Sequence, residues 1–259
     1  MRDILTGGGN GGERTPEAAA QENMRPVLPK RFYKTVSIAP QHDAYAVLLD
    51  GKSVRTPAKA TLSLPGEAAA RLVAGEWEAQ GEHIDPAAMP VTRLVNTALD
   101  GIAGDTQPVL EDIVRFAASD LLFYRASYPE ALVESQKQHW DPILDWVGTR
   151  TGARFECVEG VMHIDQSREA LALFSAHLKP YDEPVALACV HTMTSLTGSA
   201  LTAYALAEGE ISLDAAWKAA HVDEDHNIAQ WGEDHEAATR RKQRFAEMKA
   251  AADLLAALS

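Results

Sequence analysis

The chain has 259 residues, 46% of them hydrophobic and 24% charged, with a formal net charge of −13. That length buries a core without disulfide or metal staples, and the negative balance argues against nucleic acid, whose phosphates require clustered Lys and Arg. It argues equally against an anionic membrane surface, and no apolar run reaches the length of a membrane span. Cys157 and Cys189 are the only cysteines and lack the paired spacing of a zinc site. They read as buried thiols of a reducing compartment.

The stretch 1–29 is rich in Gly, Pro, Glu and Gln and reads as a disordered tail. It has no apolar signal core, and Asp3, Glu13, Glu17 and Glu22 speak against a transit peptide. The location expected for a bacterial chain is therefore the cytoplasm. Residues 31–38 and 44–49 read as strands, rich in aromatic and β-branched side chains, with the turn between them at Pro40 to Asp43. Asp50-Gly51 is a two-residue hairpin turn leading into a third strand at Lys52 to Thr56. Thr61 to Leu64 reads as a short edge strand. A helix follows from Gly66 to Gln80 with Leu72, Val73 and Trp77 on one face, then another carrying Val91, Leu94, Val95 and Leu99.

From Asp105 the periodicity is helical. Leu110, Ile113, Val114 and Ala117 form one stripe, and Leu132, Gln136, Trp140, Ile143 and Trp146 form a second. Leu121 to Tyr124 and Arg154 to Val158 are strand-like insertions. Helices are expected over 171–178, 185–206, 215–230 and 233–258. The fold class is α+β: a tail at 1–29, a small α/β domain with antiparallel hairpin strands at 30–104, and an all-helical domain at 105–259.

A search for chemistry yields few candidates. Gly7 to Gly12 is glycine-rich, but no strand precedes it and no phosphate-binding lysine follows. His191 with Ser195 or Ser199 has the residue types of a base and a nucleophile. Small residues and hydroxyls inside one long apolar helix are better read as close packing, the hydroxyls bonded back to the backbone. His221 and Asp225 share a helical face with Glu224 near it, while His226 points about 140° away from His221. A metal-dependent hydrolase would need a third ligand from His235 or His191. Charge runs are ordinarily solvated faces, and the carboxylate pairs show no sign of the burial that acid–base work demands. No catalytic constellation emerges, and no cofactor or metal is expected.

A surface remains. Between Glu208 and Glu236 nine carboxylates face Lys218 alone, with Trp217 and Trp231 interleaved. Those tryptophans are either core residues of amphipathic helices or anchors of a protein-binding face, with the acids steering a partner.

Seven stretches taken together resemble one family. They are Arg31-Phe-Tyr-Lys34; Leu49-Asp-Gly-Lys52 with Arg55-Thr-Pro57; Glu76-Trp77 with Gln80; Ile84 with Met89-Pro-Val-Thr92; Trp140-Asp-Pro142; the block His191 to Leu206; and Asp223 to Gly232. In this order they resemble the assembly chaperones for the alpha subunit of the F-type ATP synthase. The resemblance implies an α/β domain followed by a helical one, no catalysis, and neither ATP nor metal. It implies that the free chain is monomeric, holds the orphan alpha subunit and shields the surface that beta later covers; eukaryotic relatives act in the mitochondrial matrix. It points to Asp223 beside Glu224 as the functional position. Joined to the local charge excess, it makes Asp223, Glu224, Asp225, Trp231 and Glu233 the expected partner face, with Trp77 and Trp140 as structural anchors. A scaffold that binds other assembly factors is the further alternative.

Overall fold

A computed structural model of the protein describes residues 28–258. The tail reading therefore lies outside the described residues for 1–27. Its last two residues, Leu28 and Pro29, are described, and the Pro29 carbonyl accepts the Ile84 amide at 2.8 Å.

Strands β1 (Val36–Gln41), β2 (Ala44–Leu49), β3 (Lys52–Ser53) and β4 (Ser63–Leu64) form one antiparallel sheet. β2 is central, pairing with all three others, and buries Ala46, Val47 and Leu49. The first strand runs later than its composition suggests, through Pro40 to Gln41. Pro40 is tolerated because, among the described residues, β1 borders β2 alone and has no sheet partner on its other edge. The reversal at Asp50-Gly51 has both residues at positive φ, 48° and 78°, the geometry of a type I′ turn. The Asp50 carboxylate accepts the Lys34 and Thr35 amides, which holds it below the usual carboxylate pKa and fixes the chain entering β1.

Helix α1 (Glu67–Glu78) lays Ala69, Ala70 and Val73 on the sheet. The chain then makes a 3-10 turn and helix α2 (Pro90–Thr97), extended by one π turn at Ala98–Ile102. Glu76 joins the two helices. Its carboxylate accepts the amides of Val91 and Thr92, each at 2.7 Å, so it satisfies donors that the start of α2 leaves open. Trp77 lies beside it, edge-on to Tyr33 at 5.6 Å, and its carbonyl accepts the Tyr33 hydroxyl at 2.6 Å. Gln80 accepts the Asp85 amide at 2.7 Å, and Arg31 donates to the Gln80 carbonyl. The Arg-Phe-Tyr, Glu-Trp and Gln80 pieces thus meet at one corner of the α/β part.

The helical part contains α3 (Gln107–Ala118), α4 (Glu130–Thr151), α5 (Arg168–His177), α6 (Pro184–Thr197), α7 (Ala200–Ala207), α8 (Leu213–Ala220), α9 (Val222–Trp231) and α10 (His235–Ala256). The run Val185 to Val190 is buried on every face, which places α6 at the centre of the core. α3, α7 and α10 surround it, and α2 packs on both α6 and α10. An ion pair between Arg93 and Glu247 closes that contact. The four strands of the main sheet precede the helical part, which gives the chain an α+β order.

Three expectations need correction. The apolar run 185–206 is two helices, because Gly198 takes a left-handed φ of 68° and the Ser199 hydroxyl caps the Thr202 amide. The run 215–230 also breaks, at His221, where side chains claim the terminal carbonyls: His221 Nδ1 contacts the Trp217 oxygen at 2.7 Å, and Trp140 Nε1 donates to the Ala219 oxygen at 2.8 Å. The insertions near 121 and 154 form only a 3-10 turn at Leu121–Phe123 and a two-residue parallel pair, β5 (Tyr124–Arg125) with β6 (Val158–Glu159). Of the two thiols only Cys189 is buried; Cys157 is exposed beside β6. Among the described residues no helix is long and apolar enough to cross a membrane.

Candidate functional site

Helix α9 carries the acidic run. Asp223, Glu224 and Asp225 occupy its first turn, where negative side chains offset the positive end of the helix dipole. The three point to different neighbours. Asp223 is exposed, and its Oδ1 accepts Gln136 Nε2 of α4 at 2.8 Å. Gln136 is itself buried and accepts the Ala126 amide at 2.8 Å through Oε1. A neutral amide therefore orients Asp223 without cancelling its charge. Asp225 is instead paired with Arg241 of α10 at 2.5 Å. Glu224 turns toward α10 and, with Ile228, Trp231, Glu233, Ala237 and Arg241, lines an open cleft of about 440 Å³.

The two tryptophans divide. Trp217 is core, 4.0 Å from the His221 ring and edge-on to Phe245 at 5.2 Å. Trp231 is 84% exposed at the end of α9. Its ring lies in water beside carboxylates and packs nothing of the core. The structure thus brings Glu224, Trp231 and Glu233 to one cleft, sets Asp223 on the α4 side and ties Asp225 to a cation. Trp140 is buried at 1% exposure, with its indole donor satisfied by Ala219. Nothing in the sequence singles out Gln136 as the residue that holds Asp223, since the two lie 87 positions apart. As a polar member of an apolar stripe it carried the one available signal.

The residues considered for chemistry stand apart. His191 Nε2 contacts the Asp112 carboxylate at 2.7 Å, while Ser199 serves as a helix cap. His221 is buried, which lowers its pKa from the ordinary value, and its Nε2 lies 3.8 Å from Glu224. Asp225 is held by Arg241 and so does not converge on His221. Among the described residues no three His, Cys, Asp or Glu side chains gather as metal ligands would.

The chain joins an α/β part with an antiparallel sheet to a helical part built around α6, with an acidic helix that ends in an exposed tryptophan; this is the architecture of a known class of assembly chaperones. Residues 30–148 match the family described as ATP12 chaperone protein. A crystal structure of Atp12 from Paracoccus denitrificans superposes with a TM-score of 0.83 at 35% identity, covering 89% of this chain and 99% of that one. An aspartate-to-lysine mutant of P. denitrificans Atp12p gives 0.83 at 34% identity, over 89% of this chain and 98% of that one. A crystal structure of an Agrobacterium tumefaciens protein reaches 0.88 at 56% identity, over 96% of this chain and 93% of that one. The mitochondrial protein atp12 of Schizosaccharomyces pombe is 22% identical over 218 residues, 78% of this chain and 74% of its own length. The chain belongs to the ATP12 chaperone family.

Proposed function

We propose that this chaperone serves ATP synthase assembly by binding the free alpha subunit of the F-type enzyme and covering its beta-facing surface until beta arrives. The observation that carries the reading is the pairing, on one short helix, of the 84%-exposed Trp231 with an oriented, uncancelled Asp223. An orphan subunit exposes interface area that aggregates unless covered. An aromatic anchor supplies apolar contact, and the carboxylates set orientation and rate of encounter. The face comprises Asp223, Glu224, Trp231 and Glu233, with Asp225 positioning it through Arg241. The reading is of a binding protein and not a catalyst, monomeric when free. It is cytoplasmic in a bacterium, as the S. pombe relative is mitochondrial.

Co-expression of the alpha subunit alone, with and without this chain, followed by size exclusion tests the reading. A soluble complex that beta dissolves is expected. Asp223→Lys should keep the overall fold, at the cost of the Gln136 hydrogen bond, and should weaken the complex. Equal aggregation of alpha in both cases would falsify the reading.

A further inference from the structure

The parallel pair of β5 and β6 stands apart from the main sheet, with Tyr124 opposite Val158 and Arg125 opposite Glu159. Parallel strands send their following loops out at the same end. The Gly160 amide closes on the Arg125 carbonyl at 2.8 Å, and Tyr124 Oη meets His163 Nδ1 at 3.3 Å, so loops 126–129 and 160–163 leave side by side. They carry Tyr128 at 84%, Val161 at 93% and Met162 at 74% exposure, three of the six large apolar side chains exposed among the described residues. Such a grouping on one short projection marks a contact site more than a stray surface residue does.

Its surroundings select the partner. Glu130 and Glu159 flank the two loops in sequence, are exposed, and have no ion-pair partner among the described residues. Arg125, half-buried at the base of the tip, is already paired with Asp141 at 2.7 Å. We infer that the Tyr128, Val161 and Met162 tip docks into an apolar pocket rimmed by Lys or Arg on a polypeptide partner. A second copy of this chain, at a net charge of −13, or an anionic membrane would bring like charge to the same carboxylates. The tip is also continuous with the acidic helix, because Gln136 holds both the Ala126 amide and Asp223. Identifying the partner as the alpha subunit rests on the function proposed above.

The full-length chain is titrated with isolated alpha subunit, first unaltered and then as Val161→Asp/Met162→Asp. Circular dichroism and melting of the double variant should match the parent, since both positions lie in water. Its affinity should fall at least about tenfold, the loss expected of an interface anchor. Glu159→Lys should weaken binding and flatten its salt dependence. A photo-crosslinker at Met162 should label alpha. If the parent binds alpha and the double variant binds equally well, the tip is not a docking element while the chaperone reading stands. If the parent does not bind alpha, both fall. Crosslinks to a second copy, or binding to anionic vesicles that the double variant abolishes, would also overturn the inference.

Discussion

Gln136, buried in the second turn of α4, donates from Nε2 to Asp223 Oδ1 at 2.8 Å across 87 residues of sequence, while its Oε1 holds the Ala126 amide. One side chain therefore sets both the acidic end of α9 and the loop leading to Tyr128. Its two polar ends face one acceptor and one donor, a task that only an amide of this length performs.

Gln136→Glu tests that arrangement with little change of shape. The Ala126 amide keeps its acceptor, but the donor to Asp223 is replaced by a like charge in a buried position. A loss of about 1 to 3 kcal/mol is expected in urea denaturation. Part of it should return in mild acid, where the new carboxyl is protonated. Affinity for the alpha subunit should fall as well, because Asp223 is no longer oriented. Unchanged stability would mean that the amide is not needed to position Asp223.

Two buried groups give stability opposite slopes with pH. Asp120 caps both the 3-10 turn at Leu122 and the start of α7 at Leu201, and burial pushes its pKa from 3.8 up to about 6. Between those values the folded chain holds a proton that the unfolded chain has lost, so its contribution is full below about 4 and declines as pH rises through 6, by up to about 3 kcal/mol. Glu76, also raised by burial, acts in the same direction. His221 is depressed by burial and by Arg241 and Arg244, against the pull of the Trp217 carbonyl and Glu224. Its contribution is full above about 6.5 and is lost as pH falls through the folded value. In the parent protein the two slopes oppose each other. Asp120→Asn should therefore expose a stability that rises with pH, and His221→Phe one that falls, in denaturation series from pH 4.5 to 7.5. Parallel profiles for the two variants would contradict the assignment.

The tryptophans separate folding from binding. Trp140→Ala removes a ring at 1% exposure together with its hydrogen bond to Ala219, and should cost about 3 to 5 kcal/mol. Trp231→Ala removes a ring at 84% exposure and should change stability by no more than about 0.5 kcal/mol. It should nevertheless weaken the alpha complex about tenfold. A Trp231→Ala protein that binds normally would remove the aromatic anchor from the proposed face.

The hairpin at Asp50-Gly51, the strand 44–49 and the helical stripes around Ile113 and Ile143 were legible in the sequence, because turn chemistry and periodicity are local properties. Boundaries were less so where distant groups set them. Pro40 fits in β1 because that edge has no neighbour among the described residues, and 215–230 breaks at His221 because carbonyls near the end of α8 are taken by the His221 and Trp140 side chains. Gly198 followed by Ser199 was a readable stop and start signal masked by the apolar run around it.

By itself the sequence determined the α+β order, the net negative charge and the family, since each is carried by residue identity and short-range pattern. Tertiary structure alone decided that Trp217 is core while Trp231 is in water, that Asp223 is held by Gln136 and Asp225 by Arg241, and that β5 pairs with β6. Burial and pairing depend on which surfaces the packed helices bring together, and a periodic pattern records that a face exists but not what covers it.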